Sequence, residues 1–124
     1  MSKILVAEDD HDIRELIALT LQFSGFDVTS VEDGAAAVQA AKNHNGEFDL
    51  ILMDVRMPHM TGYEACRRLK EIEITQNIPI IFLSAKGQEA EVQTGLALGA
   101  EQYILKPFAP DDLIKTVTSV LNKA

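Results

Sequence analysis

The chain has 124 residues, 47% of them hydrophobic and 24% charged, a length and balance that suit one soluble globular domain over 1–124. Its formal net charge of −8 argues against direct contact with nucleic acid, which needs a basic face to neutralise phosphates. No apolar stretch approaches the ~20 residues needed to cross a bilayer, nothing near Met1 resembles a signal peptide, and the lone Cys66 excludes an intrachain disulfide or a cysteine metal site. A cytoplasmic protein without a membrane partner is expected.

Strand and helix patterns alternate along the chain. Ile4–Ala7 is a short apolar run of the kind that forms a buried parallel strand. Ile13, Leu16, Ile17, Thr20 and Leu21 then repeat at helical spacing, and Gly25 stops that helix. Phe26–Val31 alternates as a second strand. An Ala-rich helix runs from about Ala35 to Lys42 and ends at Asn43-His44-Asn45-Gly46. Leu50–Met53 forms the third strand, Tyr63–Glu71 a helix, and Ile80–Leu83 the fourth strand. A weaker helix over Gln88–Leu98 closes at Gly99. Gln102–Leu105 is the fifth strand, and Leu113, Ile114, Val117, Val120 and Leu121 mark a last amphipathic helix.

Five strands alternating with five helices predict an α/β fold with a parallel sheet covered on both faces. Right-handed crossovers favour the flavodoxin-like, doubly wound order 2-1-3-4-5. Chemistry in such sheets gathers at the carboxyl ends of the strands, and this order puts strands 1 and 3 side by side. Glu8, Asp9 and Asp10 follow the first strand, Asp54 the third, Ser84 the fourth and Lys106 the fifth. Three acids in one pocket repel each other, and a divalent ion reverses that. Mg²⁺ takes one or two carboxylates, waters and phosphate oxygens. Asp54 is then the candidate nucleophile, able to form an acyl phosphate by in-line attack, with metal, ammonium and hydroxyl sharing the charge of the transferred group.

Each residue also has a plainer role. Asp10 or Asp9 could cap the first helix, Ser84 could cap the fourth, and Lys106 could be an ordinary surface lysine. Asp54 makes a poor cap, because Val55-Arg56-Met57-Pro58 does not begin a helix. No Ser-His-Asp or Cys-His set competes, since His11, His44 and His59 have no suitable partners in the sequence pattern. No glycine-rich phosphate loop follows any strand.

In four blocks the chain resembles the receiver domain of two-component response regulators, the CheY-like family. They are Ile4-Leu5-Val6-Ala7-Glu8-Asp9-Asp10, the stretch from Asp54-Val55-Arg56-Met57-Pro58 to Gly62, Leu83-Ser84-Ala85, and the stretch from Gly99 to Lys106-Pro107-Phe108. The resemblance implies that Asp54 accepts a phosphoryl group from a histidine kinase or phosphotransfer protein. It implies that Asp9, Asp54 and the backbone carbonyl of Arg56 hold Mg²⁺ (or Mn²⁺), with Glu8 on a metal-bound water. Ser84 and Lys106 would bind phosphoryl oxygens, Tyr103 would be the switch aromatic, and the bond before Pro107 would be cis. Arg56 and Lys86 would tune the lifetime of the phosphorylated state by obstructing water.

Glu8 stands where Asp is commoner in the family, and Ser84 where Thr is. Only Lys115 and Lys123 are basic after Pro110, so a monomer or weak dimer is expected. The resemblance implies no enzyme beyond self-phosphorylation and self-dephosphorylation. The output would be a protein partner on the face of the fourth helix, fifth strand and fifth helix. A stand-alone receiver is favoured over one cut from a longer regulator with a DNA-binding or enzymatic output. A Mg²⁺ phosphohydrolase is the alternative of another class, but those enzymes place an Asp-x-Asp pair on the first strand. A flavin carrier lacks its phosphate loop here, and a scaffold-only pseudo-receiver is disfavoured because every expected site residue is present.

Overall fold

The computed structural model describes residues 2–85 and 89–122, with residues 89–92 described by backbone only. Its elements run β1 (Lys3–Ala7), α1 (His11–Phe23), β2 (Asp27–Val31), α2 (Gly34–Asn43), β3 (Leu50–Asp54), α3 (Gly62–Glu71), β4 (Ile80–Ala85), α4 (Glu89–Ala97), β5 (Gln102–Lys106) and α5 (Pro110–Leu121). The five strands form one parallel sheet in the order β2-β1-β3-β4-β5, as the alternation of patterns predicts.

Both faces of the sheet are covered, so successive strand residues enter different cores. Ile4, Val6, Leu50, Leu52, Ile81 and Leu83 face one layer with Ile17 and Leu21 of α1 and Leu113, Val117 and Val120 of α5. Leu5, Ala7, Ile51, Met53, Ile80 and Phe82 face the other with Ala37 and Ala41 of α2 and Ala65, Cys66 and Leu69 of α3. Burial on both sides explains why the central strands read as continuous apolar runs.

Two of the boundaries that differ from the sequence reading have a local reason. Phe26 is not in β2, because its N–H donates to Leu21 O at 3.1 Å while that of Gly25 donates to Gln22 O at 3.0 Å. These two bonds close α1 as a Schellman turn, with Gly25 at φ +93°. Strand β4 runs on through Ser84 and Ala85, which pair with Leu105 and Lys106, so Ser84 is a strand residue and not the cap of α4. Asp10 does cap α1, its Oδ1 accepting from Ile13 N at 3.0 Å. Gln88, the expected start of α4, lies outside the described residues.

Candidate functional site

The carboxyl ends of β1, β3 and β5 converge on one edge of the sheet. Ala7 registers with Met53, so Glu8 follows β1 beside Asp54 at the end of β3. Carboxylate oxygens of Glu8, Asp9 and Asp54 all lie within 4.8 Å of one another. Glu8 is fully buried and Asp54 nearly so, whereas Asp9 is exposed. Packing from α3 fixes the floor of this cluster. Thr61 caps that helix by accepting from Glu64 N at 3.2 Å, and Gly62 N donates to Val55 O at 2.8 Å. A Cβ on Gly62 would lie 2.2 Å from the carbonyl oxygen of Asp54, so only glycine lets the helix approach so closely.

Lys106 bridges the acids. Its Nζ donates to Asp54 Oδ2 at 2.9 Å and lies 2.7 Å from Glu8 Oε1. The second contact is an ion pair off the hydrogen-bonding direction, which leaves that buried Oε1 without an aligned donor. Burial pushes the Glu8 carboxyl up to about 7; the nearby Lys106 ammonium opposes the shift, and the neighbouring Asp54 adds to it. For Lys106, burial disfavours the ammonium, but its contacts with Glu8 and Asp54 outweigh it and raise its pKa.

These observations fit a divalent cation. Lys106 meets two of the three clustered carboxylates, one buried carboxylate oxygen lacks an aligned donor among the described residues, and hard oxygen donors of this kind suit Mg²⁺.

Ser84 registers beside Leu105 on the strand next to Asp54. It is 2% exposed, and its Oγ has no hydrogen-bond partner among the described residues. The hydroxyl residue lines a crevice with Val55, Tyr63, Phe82, Leu96 and Tyr103, too narrow to admit a water molecule. Tyr103 sits opposite Phe82 in the ladder and is half-buried. Tyr63 meets Phe82 edge-to-face, with ring centroids 5.3 Å apart. Arg56 is exposed in the loop after β3; Lys86 lies outside the described residues. The Lys106–Pro107 peptide bond is cis.

Two polar contacts were not anticipated. His59 does have an acidic partner: its Nδ1 lies 3.0 Å from Asp33 Oδ2, while Asp33 Oδ1 caps α2 by accepting from Ala36 N at 2.8 Å. This ties the β3–α3 loop to the start of α2, and His59, 74% exposed, serves an anchor and not a nucleophile. The second is Arg14, whose Nη1 donates to the carbonyl oxygen of Glu8 at 2.8 Å. The sequence carries a signal for it, since a cation in the first turn of a helix opposes the helix dipole and needs a local partner.

An acid cluster at the switch point of a 2-1-3-4-5 sheet, with a lysine from β5 bonded to one of its carboxylates, is an α/β arrangement suited to a divalent cation. Residues 4–118 match the family model described as response regulator receiver domain, and the chain belongs to that family, part of two-component signal transduction. It is 40% identical over 120 residues to the phosphate regulon transcriptional regulatory protein PhoB of Pseudomonas aeruginosa, covering 97% of this chain and 52% of PhoB. Identity to the transcriptional regulatory protein ResD of Bacillus subtilis is 38%, over 99% of this chain and 49% of ResD. The chain thus spans about half the length of these curated relatives. Among solved structures, the chemotaxis response regulator CheY4 of Vibrio cholerae superposes with a TM-score of 0.90 at 35% identity, covering 97% of this chain and 98% of CheY4. The receiver domain of the sensor histidine kinase PA1611 from Pseudomonas aeruginosa, with a magnesium ion coordinated in its active site cleft, superposes at 0.88 with 32% identity, over 98% of each chain. Among the described residues no helix is long and apolar enough to cross a membrane.

Proposed function

We propose that this receiver domain is a phosphorylation switch in which Asp54 takes a phosphoryl group from a histidine kinase or phosphotransfer protein. The reading rests on one observation: Glu8, Asp9 and Asp54 crowd within 4.8 Å with Lys106 bonded to Asp54. A carboxylate oxygen of Asp54 attacks phosphorus in line, the bond from phosphorus to the donor's leaving atom breaks, and an acyl phosphate remains. Asp9, Asp54 and the Arg56 carbonyl would hold Mg²⁺, with Glu8 orienting a bound water; the ion supplies charge neutralisation at the phosphoryl oxygens. Lys106 pairs with a phosphoryl oxygen once Asp54 is phosphorylated. The Ser84 hydroxyl, unpartnered among the described residues, gains an acceptor in the same oxygens. Arg56 at the mouth slows the approach of hydrolytic water, and Lys86 is assigned the same part.

Signal output runs through the α4-β5-α5 face to a protein partner. PhoB and ResD are named transcriptional regulators and carry about as much chain again, whereas CheY4 is matched almost end to end. The switch proposed here works in either setting, and 1–124 is read as one receiver domain. The test is intact-mass analysis after incubation with acetyl phosphate. One added phosphoryl group is expected with Mg²⁺, and none with chelator or in Asp54→Asn. Equal labelling of that variant would remove Asp54 from the role.

A further inference from the structure

Arg14 lies in the first turn of α1, where the helix dipole disfavours a cation. Its side chain is nevertheless only 14% exposed, and a guanidinium is buried only where its donors are taken up. Nη1 donates to the Glu8 carbonyl at 2.8 Å and, more loosely, reaches that of Asp9 at 3.5 Å. Nη2 lies 3.2 Å from His11 Nδ1 and 3.9 Å from Glu32 Oε1. Glu32 is 79% exposed, so that ion pair contributes little. The carbonyl contacts define the residue.

Those carbonyls belong to two consecutive residues whose carboxylates both enter the acid cluster. The last ladder pairs of β1 join Ala7 to Val31 and Met53, so the backbone carrying Glu8 and Asp9 lies beyond the register of the sheet. Glu8 N still donates to Val31 O at 3.1 Å, and Asp10 N to Glu8 Oε2 at 3.2 Å. Arg14 supplies the restraint on the carbonyl side of the same turn.

We infer that Arg14 is a positioning residue for the cation site: its guanidinium grips the Glu8 and Asp9 carbonyls and holds both carboxylates in place before an ion arrives. This rests on reading the site as a Mg²⁺-dependent phosphoacceptor. Preorganisation of that kind reduces the ordering that binding must otherwise supply. A lysine keeps the charge but not the planar guanidinium, whose Nη1 meets the carbonyls while Nη2 is held toward His11 and Glu32, so it does not replace Arg14.

The test is calorimetric titration of Mg²⁺ into the wild-type chain, Arg14→Gln and Arg14→Lys, beside the Mg²⁺ dependence of acetyl phosphate labelling. Mg²⁺ binding by Arg14→Gln is expected to weaken about 10-fold or more, the usual cost of losing an outer partner of a metal site. Arg14→Lys is expected to weaken in the same direction. Labelling by acetyl phosphate should need correspondingly more Mg²⁺ to reach half its maximum in Arg14→Gln than in the wild-type chain. A purely structural role would lower the melting temperature and leave the Mg²⁺ affinity alone, which overturns the inference. So does full rescue by Arg14→Lys, which would reduce the effect to charge. Should Arg14→Gln not fold, Arg14→Lys decides. A wild-type chain that binds no Mg²⁺ overturns the phosphoacceptor reading itself, an outcome distinct from normal binding by a folded Arg14 variant.

Discussion

Lys106 and Asp54 sit on strands that are not neighbours, yet Lys106 Nζ donates to Asp54 Oδ2 at 2.9 Å. The side chain crosses the end of β4 to do so, and the same ammonium lies 2.7 Å from Glu8. One cation thus serves two buried carboxylates while Asp9 stands beside them. Among the described residues, one ammonium set against three clustered carboxyl groups leaves this edge of the sheet with a surplus of acidic groups.

That surplus sets the first prediction. Saturating Mg²⁺ should raise the stability of the chain, because the carboxylates are brought together only in the folded state. At about 100 times the dissociation constant the gain is about 2.7 kcal/mol. Urea unfolding in chelator and in Mg²⁺ measures it. Asp9→Ala should lose most of the increment, and an increment that survives that change would place the ion elsewhere.

Ser84 offers a case where stability and signalling pull apart. Its buried hydroxyl has no partner among the described residues, and leaving such a group unpaired costs roughly 1–3 kcal/mol. Ser84→Ala should therefore stabilise the metal-free chain, by about 1 kcal/mol. The crevice it shares with Tyr103 has no room for water, so an inward turn of Tyr103 requires Ser84 to move. In the wild-type chain, beryllofluoride with Mg²⁺ should shift the resonances of Tyr103 and Leu96. In Ser84→Ala those shifts should shrink while changes around Asp54 persist. Shifts confined to the acid cluster in the wild type would mean that no signal leaves it.

Asp33 gives a pH dependence with a definite sign. Its pKa is lowered, first by the bond from Ala36 N and then by His59. A depressed folded pKa means that the unfolded chain takes up this proton at higher pH. The stabilisation is complete above the ordinary aspartate value of about 4 and is lost as pH falls through the folded value. Asp33→Ala should cost about 1 kcal/mol near neutral pH, the usual worth of a helix cap. The gap between variant and wild type should close on acidification below about pH 4. A difference that does not change with pH would mean the carboxylate charge is not what caps α2.

Much of this architecture is legible in the amino-acid sequence, because two-sided burial writes the central strands as unbroken apolar runs. Leu50-Ile51-Leu52-Met53 and Ile80-Ile81-Phe82-Leu83 need no context to be read as strands. Asp54 is visible for the same reason, as a carboxylate where such a run stops. Phe26 misleads because its backbone, and not its side chain, decides its place: the N–H is taken by the Schellman turn. Ser84 misleads because the ladder with β5 extends past the apolar run. For Arg14 the sequence signals an unfavourable place in the first turn of α1 but not its partner, a backbone carbonyl, and the His59–Asp33 pair is hidden because its members are distant in sequence.

Gly62 yields the sharpest test of how the site is held. As the first residue of α3 it would gain up to about 1 kcal/mol of helix propensity on changing to alanine. Steric contact opposes that gain. The added Cβ would lie 2.2 Å from the Asp54 carbonyl oxygen and 3.1 Å from Val55 Cα, and both are backbone atoms that cannot swing aside. The start of α3 or the end of β3 must shift, at the 1–3 kcal/mol typical of overpacking. Gly62→Ala should therefore lose stability despite its propensity, and with it Mg²⁺ affinity and labelling of Asp54. Gly25→Ala is the control. Nothing lies within 4 Å of a Cβ there, but φ is +93°, so strain of about 1–3 kcal/mol is expected at the far end of α1. The two variants should lose stability to a similar extent in urea, while only Gly62→Ala loses Mg²⁺ binding by calorimetry. Equal loss of binding in both would mean that affinity follows global stability, and that contact between α3 and Asp54 does not shape the site.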